Sequence, residues 1–337
     1  MRAFLVTSRG VGVVRDVEPP SAGPGQVVVD VARVGVCGTD VSIFFGDEAR
    51  IGRNRLSYPI RLGHEWCGSV SEVGDGVDDA WLGRRVTSET LIGCGECLRC
   101  LDGRDHLCDD RYGIGVRRGW PGALAEKLVV PERSLLPLPG SVTDEMGAMV
   151  EPGGNAYRAV EASGAAPGRR VLVLGPGNIG LLAAQFAMAA GAEVHVMGID
   201  DASLSLASAL GVSGAWKKDS LPPLVWDAVI DATTSPEMPQ FAFDVVEPGR
   251  SVVLIGVSVI PSMTDSRRVV HKELVVHGIL GGTAGLSPAI AAYASGAVDP
   301  RPLIADVVSL DDVATVLAGD AGRVAGSGTK VLIDPNR

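Results

Sequence analysis

Residues 171–198 read VLVLGPGNIGLLAAQFAMAAGAEVHVMG. An apolar strand is predicted at 171–174. It enters Gly175-x-Gly177-x-x-Gly180, an apolar helix follows to about residue 190, and a second strand spans 193–197. Strand, tight turn, helix and strand form the setting in which a glycine triplet binds a dinucleotide. Gly175 makes the turn, Gly177 lets a pyrophosphate approach the backbone, and Gly180 lets the helix lie close on the strand. The helix N-terminus at Asn178 and Ile179 offers unpaired N–H groups and a positive dipole end to phosphate.

Further strands are predicted at AVIDA (228–232), SVVLIGV (251–257) and LVVHGI (274–279), separated by helix-length segments. This alternation implies an α/β domain with a doubly wound parallel sheet, the Rossmann arrangement. The second strand ends at Gly198, followed by Ile199-Asp200-Asp201. A carboxylate there holds the adenosine ribose hydroxyls. A glycine at this point can make room for a 2′-phosphate, but no Arg follows and two carboxylates would repel that group. NAD is therefore favoured over NADP, although Lys217 and Lys218 lie one helix further on. The alternative for Asp200 and Asp201 is an N-cap of the next helix.

Upstream, residues 93–108 read GCGECLRCLDGRDHLC, with four of the chain's six cysteines. In a large chain without a secretory signal, clustered cysteines more often hold a metal than form disulfides. Cys94, Cys97, Cys100 and Cys108 would fill all four positions of a tetrahedral Zn²⁺. A closed shell leaves no position for water or substrate, so this zinc braces a loop. A redox C-x2-C pair usually sits at a strand–helix junction, whereas these cysteines lie among Gly and Asp in an irregular loop.

The reactive centre is expected elsewhere. GVCGTD (35–40) and GHEWCG (63–68) offer Cys37 and His64 beside glycines, and Glu65 adjoins His64. VEPGGNA (150–156) adds Glu151. Cys37, His64 and one or both glutamates could form a three-ligand site with an open position, the pattern of a catalytic zinc. Which glutamate completes it stays open.

The formal net charge is -10, with no long run of Lys or Arg, which argues against nucleic-acid and anionic-membrane partners. Residues 171–192 and 274–298 are apolar, yet Gly175-Pro176-Gly177 splits the first, and Gly281, Gly282 and Pro288 interrupt the second. Neither is expected to span a membrane. A cytoplasmic location is expected.

Taken together, G-x-C-G-T-D, G-H-E, the four-cysteine lobe, E-P before a linking helix, the glycine fingerprint and KELVVHG stand in an order that resembles the zinc-dependent medium-chain alcohol/polyol dehydrogenases. EPGGNA is most similar to their threonine and sorbitol dehydrogenase branch. The resemblance implies a GroES-like, β-rich catalytic domain interrupted by a Rossmann domain. We expect a catalytic domain over 1–154 with a zinc lobe at about 93–110, a nucleotide domain over 155–284, and a return to the catalytic domain over 285–337. By resemblance, Cys37 and His64 ligate a catalytic zinc, and Glu151 or Glu65 completes or exchanges in its shell. Asp40 orients the His64 imidazole, and Thr39 hydrogen-bonds the substrate hydroxyl and starts the proton relay. Relatives of the threonine type carry His three residues after this Thr, where Ser42 stands here. Arg158, after EPGGNA, is expected in a salt bridge or facing an anionic substrate.

The implied oxidoreductase holds two zinc ions per chain and reversibly oxidises a secondary alcohol, whether polyol, cyclitol or alicyclic, to a ketone with NAD(P). A homodimer or homotetramer is expected, with the apolar strand SVVLIGV as a pairing edge. Two rival readings are an NAD-recycling zinc enzyme with no net redox change and a non-catalytic zinc- and nucleotide-binding protein. The second would be expected to lose Cys37, Thr39, His64 and Glu151, and all are present.

Overall fold

The computed structural model describes residues 1–47, 57–319 and 328–337. The chain divides into two compact units. The first comprises Met1–Glu151, Ala289–Ser295 and Ile304–Arg337, and the second Pro152–Pro288 and Gly296–Leu303.

The second unit is built on a six-stranded parallel sheet. Its order is Gly214–Lys217, Glu193–Gly198, Arg170–Leu174, Trp226–Asp231, Val246–Leu254, Val275–Gly278. In chain order this is 3-2-1-4-5-6, the doubly wound Rossmann topology with its reversal beside Arg170–Leu174. That central strand reads RVLVL and buries every residue from Val171 to Leu174, as a strand covered on both faces should. Leu172, Leu174, Trp226, Val229, Phe243 and Val252 form one apolar cluster behind it. The order corrects one expectation. Residues 251–254 belong to a strand paired on both sides, so SVVLIGV is interior; the edge is Val275–Gly278, whose Val275 and Val276 are exposed. Both strands are apolar because one is buried and the other offers an uncovered edge. Composition alone does not separate the two cases.

The first unit carries a seven-stranded sheet in the order Ile304–Ser309, Lys330–Asp334, Gln26–Gly35, Glu65–Val73, Arg85–Ser88, Leu135–Pro137, with Lys127–Pro131 also paired to Gln26–Gly35. Phe4, Val29, Val34, Trp66, Leu128 and Ile333 are buried in its core. The hairpin Arg2–Ser8/Val11–Asp16 adds a two-stranded ribbon, and Leu91–Ile92 pairs with Tyr112–Gly113 across the base of the cysteine lobe. Among the described residues no helix is long and apolar enough to cross a membrane.

Candidate functional site

The antiparallel pairing of Gln26–Gly35 with Glu65–Val73 sets Gly35 opposite Glu65. Cys37 follows one strand and His64 precedes the other, so both reach the same end of the ladder. Gly35 has no spare room: a Cβ there would lie 2.3 Å from the Glu65 Oε2. Gly63 turns the chain into His64 with φ +97°, a conformation glycine adopts without strain. The donor atoms of Cys37, His64 and Glu65 lie within 4.8 Å of one another. Glu151, in the first turn of helix Val150–Ser163, is not among them.

Asp40 organises this group from below. It lies in the first turn of helix Gly38–Phe44, where Cys37 is the N-cap. Its Oδ2 accepts the Cys37 backbone N–H at 2.9 Å, and its Oδ1 stands 3.2 Å from His64 Nδ1. Burial opposes charge on both partners. Their mutual attraction outweighs it, holding the Asp40 carboxyl below its ordinary range and the imidazole well above its own. With Nδ1 turned to Asp40, the Nε2 lone pair is the one left for a metal. Thr39 is half-buried in the same helical turn, and Ser42 is buried.

Sequence reasoning missed one member of the site. Lys330, from the strand Lys330–Asp334, places its Nζ 2.6 Å from Glu65 Oε2 and 2.9 Å from the Val36 carbonyl. Both charged side chains are almost fully buried, at 4% and 2% exposure. Burial disfavours the ammonium, but Glu65 more than offsets this and its pKa is raised. With Cys37 as thiolate, Cys37, Asp40 and Glu65 carry three negative charges against the one of Lys330. A divalent cation would neutralise the remainder. Sulfur, imidazole and carboxylate donors at this spacing suit zinc.

The second thiol group is different in kind. The sulfurs of Cys94, Cys97, Cys100 and Cys108 all lie within 4.8 Å of one another. Cys97 N–H points at the Cys94 sulfur at 3.4 Å, and Cys94 N–H at the Cys108 sulfur at 3.5 Å. Backbone N–H groups of Glu96 and Cys97 pull the Cys94 thiol down to about 7, while desolvation pushes Cys100 up to about 12. Gly93 is required, since a Cβ there would lie 2.4 Å from the Cys100 sulfur. Four sulfurs converge, a set that fits a tetrahedral zinc and would leave it no open position.

At the glycine turn, a Cβ on Gly180 would lie 1.9 Å from the Gly175 carbonyl oxygen, whereas a Cβ on Gly177 would meet nothing within 4 Å. The open space lies where a pyrophosphate would approach. Helix Asn178–Ala189 begins there, and Asn178 Oδ1 is buried without a hydrogen-bond partner among the described residues. Ile179 follows in the same first turn. Asp200 caps helix Asp201–Ala209, accepting from the Ser203 N–H at 2.8 Å, and Asp201 pairs with Lys217 at 2.7 Å. Lys218 lies over the Phe241 ring. Among the described residues Arg158 does not make the expected salt bridge. Its Nη1 donates to the carbonyls of Leu280 and Gly281, tying helix Val150–Ser163 to that loop.

A dinucleotide-binding sheet joined in one chain to a β-rich unit with two metal-type donor groups defines a metal-using, nucleotide-dependent oxidoreductase. Residues 23–140 match the alcohol dehydrogenase GroES-like domain, and residues 178–295 match the zinc-binding dehydrogenase domain. The chain is 32% identical over 325 residues to an L-threonine 3-dehydrogenase of Idiomarina loihiensis, covering 92% of this chain and 94% of the relative. An alcohol dehydrogenase from E. coli CFT073, complexed with NADH, superposes with TM-score 0.91 at 26% identity, over 99% of both chains. A zinc-binding dehydrogenase from Sinorhizobium meliloti 1021, bound to NADP, gives 0.89 at 30% identity, also over 99% of both. The protein belongs to the zinc-dependent medium-chain alcohol dehydrogenases, in the threonine/sorbitol-like branch, and is an NAD(P)-dependent enzyme.

Proposed function

We propose that the enzyme oxidises a secondary alcohol to a ketone, with NAD as acceptor, at a zinc site formed by Cys37, His64 and Glu65. The observation that carries this reading is the convergence of those three donors within 4.8 Å, with Asp40 behind the imidazole. When bound, zinc supplies Lewis acidity to the hydroxyl and the dinucleotide accepts the hydride. Asp40 holds Nδ1 of His64 and fixes the ring. Thr39 hydrogen-bonds the substrate hydroxyl and starts the proton relay, accepting that proton as it passes its own hydroxyl proton outward. Glu65 is either a ligand or, clamped by Lys330, a fixed negative charge beside the metal; Glu151 is the alternative ligand. Cys94, Cys97, Cys100 and Cys108 hold a second, structural zinc.

The substrate of the Idiomarina relative carries a secondary hydroxyl, which supports the bond type. Ser42 stands where threonine-type relatives carry His, which argues against threonine itself and leaves polyols, cyclitols and alicyclic alcohols. Asp200 and Asp201 near the end of strand Glu193–Gly198 favour NAD, since both carboxylates would oppose a 2′-phosphate. The unpaired edge Val275–Gly278 supports pairing with a second copy in a homodimer or homotetramer. No disulfide joins any of the six cysteines, which fits a reducing cytoplasm.

The test is an absorbance screen for NADH and NADPH over polyols, cyclitols, alicyclic alcohols and L-threonine, with zinc content measured on the same preparation. We expect turnover with NAD of at least one non-threonine secondary alcohol and two zinc ions per chain. A two-zinc preparation that turns over only primary alcohols, or none, would refute the proposal.

A further inference from the structure

The first unit holds a concavity that the donor groups do not use. It is a cavity of about 840 Å³ whose lining includes Leu5, Val17 and Trp120 together with Arg61, Arg117 and Arg118. None of Cys37, Asp40, His64 or Glu65 lines it. The size falls within the roughly 300–1,000 Å³ of ordinary small-molecule sites. One acidic side chain, the exposed Glu18, shares the lining, so cations outnumber anions around it.

The three arginines are not equivalent. Arg118 is held by Asp110 at 3.2 Å and by the Asp109 carbonyl. Arg117 lies close enough to Asp109 to lower that carboxyl's pKa. Among the described residues Arg61 has no such acidic neighbour. Its Nε is buried without a hydrogen-bond partner among the described residues. Burial pulls its guanidinium down to about 10, and no acidic group among the described residues counters this. The backbone beneath it is fixed on both sides: Ile60 exchanges hydrogen bonds with Val6 at 2.9 and 3.0 Å, and the Arg61 carbonyl accepts from Gly122 N–H at 2.8 Å.

Arg61 is half-buried, and a guanidinium edge that has lost water at Nε without gaining a counter-charge is unfavourable until an anion completes it. Its planar fork of donors matches the oxygens of a carboxylate or phosphate. The indole of Trp120 is anchored through its Nε1 to the Val129 carbonyl at 3.0 Å, which leaves the ring as a rigid apolar wall.

We propose that this cavity binds a small organic anion, its carboxylate or phosphate group paired with Arg61 and its apolar body lying along Trp120, Leu5 and Val17. The site is separate from the proposed catalytic zinc and goes beyond the dehydrogenase reading; it stands whichever alcohol the enzyme uses.

The test is calorimetric titration of the zinc-loaded enzyme saturated with NADH, using inorganic phosphate and, separately, benzoate, at an ionic strength held constant with sodium chloride. NADH fills the glycine turn, so the probes do not report on it. We expect saturable binding of at least one probe at one site per chain. Arg61→Met should weaken it by about tenfold or more, with zinc content and NADH affinity unchanged. The stronger probe tells a phosphate-selective site from a carboxylate-selective one. No saturable binding of either probe, or an Arg61→Met protein that binds as tightly as wild type, overturns the proposal. If Arg61→Met does not fold, Arg117→Gln decides: weakening of about threefold or more supports the site, and unchanged affinity overturns it.

Discussion

The two thiol-bearing groups of the first unit draw on the same chemistry and arrive at different arrangements. In the lobe, four sulfurs face one another and every coordination position of a tetrahedral ion would be taken. At the sheet end, one sulfur, one imidazole and one carboxylate converge, and the carboxylate is already shared with a buried lysine. The lobe is assembled from 15 consecutive residues, Cys94 to Cys108, by loop turns. The sheet end draws Cys37, Glu65 and Lys330 from three strands or their ends. A local group can be closed on itself. A group spread over the fold can keep a position open, because the scaffold rather than the metal holds its members in place.

The largest effect should come from exchanging one thiol in each group. Cys37→Ser should lower turnover by about a thousandfold, the loss expected for a Lewis acid, while NADH binding persists. Cys97→Ser should spare most turnover but remove one zinc and lower the unfolding midpoint by about 5–10 °C. Steady-state rates, metal analysis and calorimetry on both variants decide. If the two proteins behave alike, the distinction between the groups fails.

The next effect tests the shared carboxylate. Lys330→Met leaves Glu65 as a buried charge without its partner, and breaking such a pair typically costs about 3–5 kcal/mol. Lys330→Met combined with Glu65→Leu should recover much of that stability, measurable by urea unfolding. If the single variant is as stable as wild type when zinc-loaded, Glu65 has another cation to lean on and is acting as a ligand.

A smaller change is expected behind the imidazole. Asp40→Asn should weaken zinc affinity or activity by about 10–100-fold, as loss of a ligand-orienting partner does. Competition with a chromogenic chelator measures it, and unchanged affinity would mean His64 is held by packing alone.

The mildest effect lies in the second unit and serves as a control without metal. Hydrogen bonds from Arg170 and His195 hold the Glu193 carboxyl down to about 2, against an ordinary 4.5. A depressed acid contributes stability above about pH 4.5 and loses it as the pH falls toward 2. Glu193→Gln should flatten the decline of urea midpoint over that interval, read by the fluorescence of Trp216 and Trp226, which stand close to His195. An undiminished slope would show that another carboxylate governs it.

What was readable in the sequence was what short spacing encodes. The parallel sheet followed from apolar runs broken by glycines, and the thiol lobe from intervals of two and seven residues. Cys37 and His64 stood out because glycines flank them. Lys330 did not, since a single lysine opening the apolar run KVLID carries no local signal and its partner lies 265 residues away. The edge strand was misplaced for a related reason: strand order is a property of the whole sheet. Arg158 was assigned to a carboxylate although the nearest acceptors are main-chain oxygens, which sequence does not display.

The Glu65–Lys330 contact also sets a clock. A ribosome adding about 5–20 residues per second needs roughly 15–50 s to travel from one residue to the other. For that interval the carboxylate has no lysine to neutralise it. The buried ion pair can form only after strand Lys330–Asp334 has been made. That last-made strand thus supplies the cation that neutralises a carboxylate made long before it.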